Sequence, residues 1–213
     1  MKRLFFSIAL IAIAVFSNAQ SDKFAGAMQA GFDKMKTAQS PADWQSLAAT
    51  FERIANAEKN QWLPYYYAAL ALSTQGWMDQ QLDKDANSTK IKELCKIADG
   101  LTTDPKDKAE LLSVVNMACT QQMMVDAMSR WMTYGQEAGK ALQDAMQLDP
   151  SNPRLYYLQG MSLFGTPEQF GGGKDKAKPL FEKALALYES ANVKPMYPDW
   201  GKEETVKMIA QCH

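Results

Sequence analysis

Histidine is almost missing from this 213-residue chain: its one copy is His213, the last residue. That scarcity excludes most metal and nucleophile chemistry. Zinc sites draw on clustered Cys and His, and a Ser–His or Cys–His pair would need His213 to fold back into a site. Cysteine is scarce too, with Cys95, Cys119 and Cys212 far apart and none in CxxC spacing. An odd number leaves at least one thiol unpaired or paired between chains, and one disulfide and three buried thiols both remain open. Neither charge sign is in surplus: 23 basic and 24 acidic residues give a net charge of −1. Nucleic-acid binding, which shows as a basic surplus or stripe, therefore has no support. Alternating charges such as Asp33-Lys34-Met35-Lys36 read as solvated helix faces. No four- to eight-residue run of β-branched residues alternates with polar ones, so no strand is expected.

Long apolar runs are also missing, apart from one at the N-terminus. Lys2 and Arg3 precede Leu4 to Phe16, which is apolar except for Ser7, and Ser17-Asn18-Ala19 follows with small residues. Charged start, short apolar run and small-residue cleavage site are the three parts of a secretory signal peptide. The run is shorter than the roughly 20 residues of a membrane-spanning helix. Residues 1–19 are expected to be cleaved, leaving 20–213 as one exported domain, periplasmic or secreted, with no membrane insertion.

What remains is helix periodicity. Phe24, Met28, Phe32 and Met35 share one face, and Ser40-Pro41 opens a helix carrying Trp44, Leu47, Phe51 and Ile54. Trp62 to Trp77 is apolar on several faces and reads as a central helix. Asp79 to Ser88 is polar and reads as a loop or a frayed start. Asp104-Pro105 and Asn152-Pro153 begin further helices, as a proline in the first turn favours. The pattern breaks around Ser129 to Gly135, in the Thr166–Gly173 loop and over Pro195 to Gly201, before a short last helix from Lys202.

Self-similarity appears at the spacing of helix–turn–helix repeats. Tyr156-x2-Gln159-Gly160-x2-Leu163, Ala177-x3-Phe181 with Ala184, and Ala138-x3-Leu142-x2-Ala145 before Leu148-Asp149-Pro150 follow the pattern loosely. Tyr65-x2-Ala68-Ala69-x2-Leu72 is another first-helix match. Small residues such as Gly160 and Ala177 let helices approach, and large ones such as Phe181 fill the gap. In these residues the chain resembles the tetratricopeptide-repeat superfamily. It is similar, more closely, to a group of secreted bacterial proteins of that type through Trp62–Leu70, Ser129-Arg130 with Tyr134-Gly135, Asn152–Tyr157, Thr166–Lys174, Asp199-Trp200-Gly201 and Cys212. The resemblance implies an all-α fold: a short, right-handed α-α superhelix of about four helix pairs with a C-terminal capping helix. Two irregular insertions, around Trp131 and Phe170, interrupt it. It also implies a scaffold that binds a protein or peptide partner without catalysis or cofactor.

The candidate partner-binding residues are Arg130, Trp131, Tyr134, Arg154, Tyr157, Phe170 and Trp200. Arg can clamp a carboxylate at two points or tie a loop to a helix end. Met123-Met124, Met128 and Trp131-Met132 suit an adaptable surface, although filling gaps between helices is the commoner use of such residues. Phe170 is expected to plug its loop onto the body and Trp200 to anchor the last helix. Gly171-Gly172-Gly173-Lys174 lacks the Ser or Thr of a phosphate loop, because Asp175 follows; its glycines suit positive φ. Asn87-Ser88-Thr89 fits a glycosylation sequon. The rival functions are a small-molecule or glycan carrier with Trp131, Tyr134 and Phe170 around a pocket, and, remotely, a hydrolase using carboxylates such as Asp199 and Glu203-Glu204.

Overall fold

The computed structural model describes residues 22–212; the segment 1–19 expected to be a signal peptide and His213 lie outside the described residues. All regular structure within that range is helical. The elements are α1 (22–35), α2 (Pro41–Glu58), α3 (Trp62–Met78), α4 (Lys84–Asp99), α5 (Pro105–Met124), α6 (Ala127–Arg130), α7 (Gln136–Leu148), α8 (Pro153–Gly165), α9 (Lys174–Ser190) and α10 (Lys202–Gln211). A π-helical turn, Trp131–Gly135, joins α6 to α7. Sequence-adjacent helices pack against one another, α2 on α3, α4 on α5, α5 on α7 and α8 on α9, with α10 closing on α9. This is the paired, all-α superhelical arrangement expected from the sequence.

Local chemistry fixes the helix starts. Ser40 and Asp43 form a reciprocal capping box ahead of α2, with Pro41 in the first turn. Asp104 and Asn152 cap α5 and α8 through their side chains, again before a proline. Asp83 does the same for α4, accepting from the amides of Asp85 and Ala86. Residues 84–88, read from sequence as loop or frayed start, are therefore helical. Their polarity is used internally: the Asn87 amide donates to the Leu72 carbonyl at 3.0 Å and Ser88 Oγ to that of Ala118 at 3.0 Å. Asn87 is buried in this contact, so the sequon is closed to a glycan.

The main core lies between α1 and α5. Phe51 stacks on Tyr67 at 5.4 Å, Phe32 meets the edge of Tyr67 at 4.8 Å, and Tyr66 stands perpendicular to Tyr67 at 5.2 Å. A second cluster joins Ala109, Leu142, Ala145 and Leu155, and a third joins Ala177, Phe181 and Met208. Glycine opposite phenylalanine recurs at both ends of the array. A Cβ on Gly160 would stand 2.5 Å from the Phe181 ring, and one on Gly31 would stand 2.7 Å from that of Phe51. The helix backbones can meet the rings only because those Cβ atoms are missing.

Tertiary packing also decides what happens after α9. Residues 191–201 turn back onto α3. Tyr67 Oη donates to the Met196 carbonyl at 2.9 Å, Tyr197 packs edge-on against Trp62 at 5.8 Å, and Trp200 Nε1 donates to Tyr66 Oη at 2.7 Å. Tyr188 Oη holds the Trp200 carbonyl at 3.0 Å, beside Gly201 at φ 102°. Trp200 thus ties the start of α10 to the far end of the molecule. By contrast, Phe170 does not plug its loop onto the body: it sits on a 3-10 turn and is 72% exposed. Gly171 and Gly173, at φ 90° and 106°, let the chain reverse into α9.

Candidate functional site

The seven candidate residues separate into two groups and one outlier. Arg154, Tyr157 and Trp200 belong to the interior. The Arg154 guanidinium binds the Glu110 carboxylate through Nε at 2.9 and 3.1 Å and through Nη2, and both side chains are almost fully buried. Asn152 Nδ2 donates to the same carboxylate, and Tyr66 Oη approaches it at 3.4 Å. The Trp200 ring covers Arg154 and meets Tyr157 edge-on at 6.4 Å. Burial, followed by the Glu110 charge, pushes the Tyr66 phenol well above its ordinary value and keeps it neutral. A cleft of about 290 Å³ borders this group, but its buried polar side chains, Glu110, Asn152 and Arg154, are already bonded to one another. The arrangement ties α5, α8 and the returning segment together and leaves little for a ligand. Phe170 stands apart on its own loop.

Arg130, Trp131 and Tyr134 form the second group, where helical order breaks. α5 ends at Met124, and Asp126 accepts from the Ser129 amide and hydroxyl to start the four-residue α6. The π turn then inserts an extra residue before α7, a distortion that recurs at functional sites. Gly135 is the buried point of this segment. A Cβ there would collide with the Trp131 ring, whose six-membered side covers Gly135 next to the Met123 sulfur. One part of the Trp131 indole is thereby held, and the rest faces solvent.

The neighbouring apolar side chains are exposed, which corrects the expectation that they fill gaps. Met128 is 91%, Met132 75%, Met124 58% and Trp131 51% exposed. Soluble surfaces seldom gather several large apolar groups in this way without a binding use.

Beside them is a cavity of about 530 Å³, within the range of small-molecule sites. Trp77 and the helix-terminal pair Met124 and Val125 form its apolar wall; Lys84, Asp85 and Gln121 supply the polar part. Lys84 Nζ is fixed on the carbonyls of Gly76 and Asp79. Gln121 is buried; its Nε2 donates to the Ser73 carbonyl at 2.8 Å, while Oε1 has no hydrogen-bond partner among the described residues. Arg130 connects the cavity to the π turn, because its Nη1 donates to both Asp85 oxygens at 2.8 and 3.0 Å and to the Gln122 carbonyl at 3.2 Å. Hydrogen bonding from Arg130 holds the Asp85 carboxyl below the usual range. The Tyr134 ring lies within 5.7 Å of Arg130 and 5.5 Å of Lys92.

Sequence reasoning missed Trp77, Lys84, Asp85, Lys92 and Val125 as members of this group. Asp85 and Arg130 are 45 positions apart, and nothing in the local patterns pairs them. The three cysteines are free thiols, two of them buried, and burial raises Cys95 to about 12. No group of His, Cys, Asp and Glu among the described residues has the arrangement of a metal site. Nor is any described helix long and apolar enough to cross a membrane.

No family model matches the chain, and no curated protein matches it. Among solved structures it is similar to the HusA haemophore from Porphyromonas gingivalis, with a TM-score of 0.78 and 32% sequence identity over 90% of this chain and 92% of that one. With that identity across nearly the whole of both chains, this protein belongs to the family of the HusA haemophore.

Proposed function

We propose that this protein is an exported, non-catalytic haem carrier that holds the tetrapyrrole against the exposed apolar surface around Trp77, Met124, Met128, Trp131 and Met132. The observation that carries the proposal is the coincidence of two facts. The relative is a haemophore, and the exposed Trp77 and Met124 line an open cavity of about 530 Å³, with the exposed Met128, Trp131 and Met132 following within a few residues of Met124. A porphyrin is flat and apolar on both faces with acid groups at one edge. Trp131, held against Gly135, offers an indole for stacking, an interaction worth about 0.5–1.5 kcal/mol beyond area burial. Unbranched thioethers adapt to a plate of that shape. No histidine lies among the described residues; Met124, Met128, Met132 and Tyr134 are the nearby groups whose sulfur or oxygen suits haem iron. Burial of the apolar faces supplies most of the affinity, and stacking on Trp131 adds to it.

Titration of the mature protein with haem and with metal-free protoporphyrin, followed by the Soret band and by tryptophan fluorescence, tests this. Saturable one-to-one binding of both ligands is expected, weakened about tenfold by Trp131→Ala. Absence of saturable binding to either ligand would sink the proposal. Gly135→Ala, which displaces the indole, should weaken binding in the same direction. Export rests on the signal segment 1–19 ahead of one helical domain, 20–213; the N-terminal residue of protein recovered outside the cytoplasm tests it, with Gln20 expected.

A protein-binding scaffold is the second reading, favoured by the same exposed Trp and Met side chains, which suit a partner's apolar anchors. Competition between haem and a recovered partner for wild-type protein, lost in Trp131→Ala, would place both on this surface.

A further inference from the structure

Arg130 is engaged in an unusual way for a residue whose purpose is to tie down a segment. A guanidinium that pairs with a carboxylate for structural strength commonly uses two nitrogens side by side, one to each oxygen. Arg154 approaches that arrangement, reaching Glu110 through Nε and Nη2. Arg130 instead places both Asp85 oxygens and the Gln122 carbonyl on Nη1 alone. Among the described residues its Nε and Nη2 have no hydrogen-bond partner, which leaves free the edge best shaped for a carboxylate. The side chain is 27% exposed, and its guanidinium is steadied near the Tyr134 ring, 5.7 Å away. Trp131 follows it directly, and Met128 and Met132 lie two positions to either side. Asp85, which engages Arg130, lines the cavity together with Trp77 and Met124, so the free fork stands next to an apolar wall.

We propose that the Nε–Nη2 edge of Arg130 receives a carboxylate of the bound ligand, a propionate where that ligand is haem. The site then selects flat apolar molecules that carry an acid group over their neutral esters. This rests on the haem-carrier proposal and adds a specificity-determining residue to it. Asp85 is already bound on the opposite nitrogen, so the incoming carboxylate does not have to displace it. A lysine at this position would keep the charge but lose the fork.

The experiment compares protoporphyrin with its dimethyl ester, titrated into wild-type protein, Arg130→Gln and Asp85→Asn. Wild type is expected to prefer the diacid by about tenfold, the size of one charge-assisted contact. Arg130→Gln should bind acid and ester alike. Asp85→Asn breaks the same ion pair but leaves the guanidinium, so it should keep the preference; this separates recognition from support of the segment. Equal binding of acid and ester by wild type, or a preference that survives in Arg130→Gln, overturns the role of Arg130 while leaving the apolar site standing. Failure of wild type to bind either porphyrin overturns the haem-carrier proposal, and the role of Arg130 falls with it.

Discussion

Replacing Arg154 with alanine should be costly for stability and almost silent for ligand binding. The Glu110 carboxylate, with only 6% of its side chain exposed, faces Arg154 at 9% exposure, so the substitution strands a buried negative charge. Breaking such a pair by removing one partner costs about 3–5 kcal/mol. Asn152 and Tyr66 keep their contacts with Glu110 and hold the loss near the lower figure, about 3 kcal/mol. At about 2–4 °C per kcal/mol for a domain of this length, the melting temperature should fall by about 6–12 °C. Thermal unfolding followed by circular dichroism reads this directly. Arg154→Met combined with Glu110→Leu should regain much of the loss, because no charge is then left unpaired. Porphyrin affinity in Arg154→Ala should stay within about twofold of wild type at a temperature where the variant is folded. A stability loss under about 1 kcal/mol would refute the reasoning that this pair locks α5 to α8. An affinity loss matching that of Trp131→Ala would place the ligand at the interior group instead.

Three further outcomes follow from the geometry. Gly160→Ala should destabilise by about 1–3 kcal/mol through overpacking, since its Cβ would stand 2.5 Å from a fully buried Phe181 ring. Gly139→Ala, with open space around the new methyl in α7, should stabilise by about 0.5–1 kcal/mol; chemical denaturation measures both. Acid should loosen the α6 and π-turn segment. The Asp85 carboxyl is depressed in the folded protein, chiefly by its hydrogen bonds from Arg130. Its contribution is therefore present above the unfolded value of about 3.9 and is lost as pH falls through the lower folded value. Trp131 fluorescence should report this below about pH 4, and Asp85→Asn should weaken the pH response to the part carried by Asp126, whose carboxyl is also depressed by its hydrogen bonds from Ser129.

The paired all-α architecture was legible because its signals are local. Ser40-Pro41, Asp104-Pro105 and Asn152-Pro153 announce helix starts through capping chemistry that needs only a few neighbouring residues. The break around Ser129–Gly135 was legible for the same reason, since apolar periodicity fails there. Within Asp79–Ser88, residues 79–83 are the expected loop, but 84–88 misled because polar residues look alike in sequence whether they face water or a buried carbonyl. Asn87 and Ser88 face Leu72 and Ala118, 15 and 30 positions away.

The candidate site divides along the same line. Trp131 and Tyr134 could be picked out because a break in the pattern drew notice to them, and Trp200 because it flanks a long loop, whereas Arg130 and Arg154 were selected on residue type. Nothing local distinguishes an arginine that reaches an exposed aspartate 45 residues away from one locked onto a glutamate 44 residues away. Phe170 and Trp200 both flank long loops, yet one is exposed and the other bonds Tyr66 from 134 positions along the chain.

The sequence by itself determined helix content, helix starts, the place of the break and the shortage of catalytic groups, because capping, periodicity and composition act over a few residues. Tertiary structure alone decided which side chains meet. The 191–201 segment folds back onto α3, the Glu110–Arg154 pair closes the interior, and the methionines around Trp131 are left facing water, because long-range packing determines what is desolvated and what remains open to a ligand.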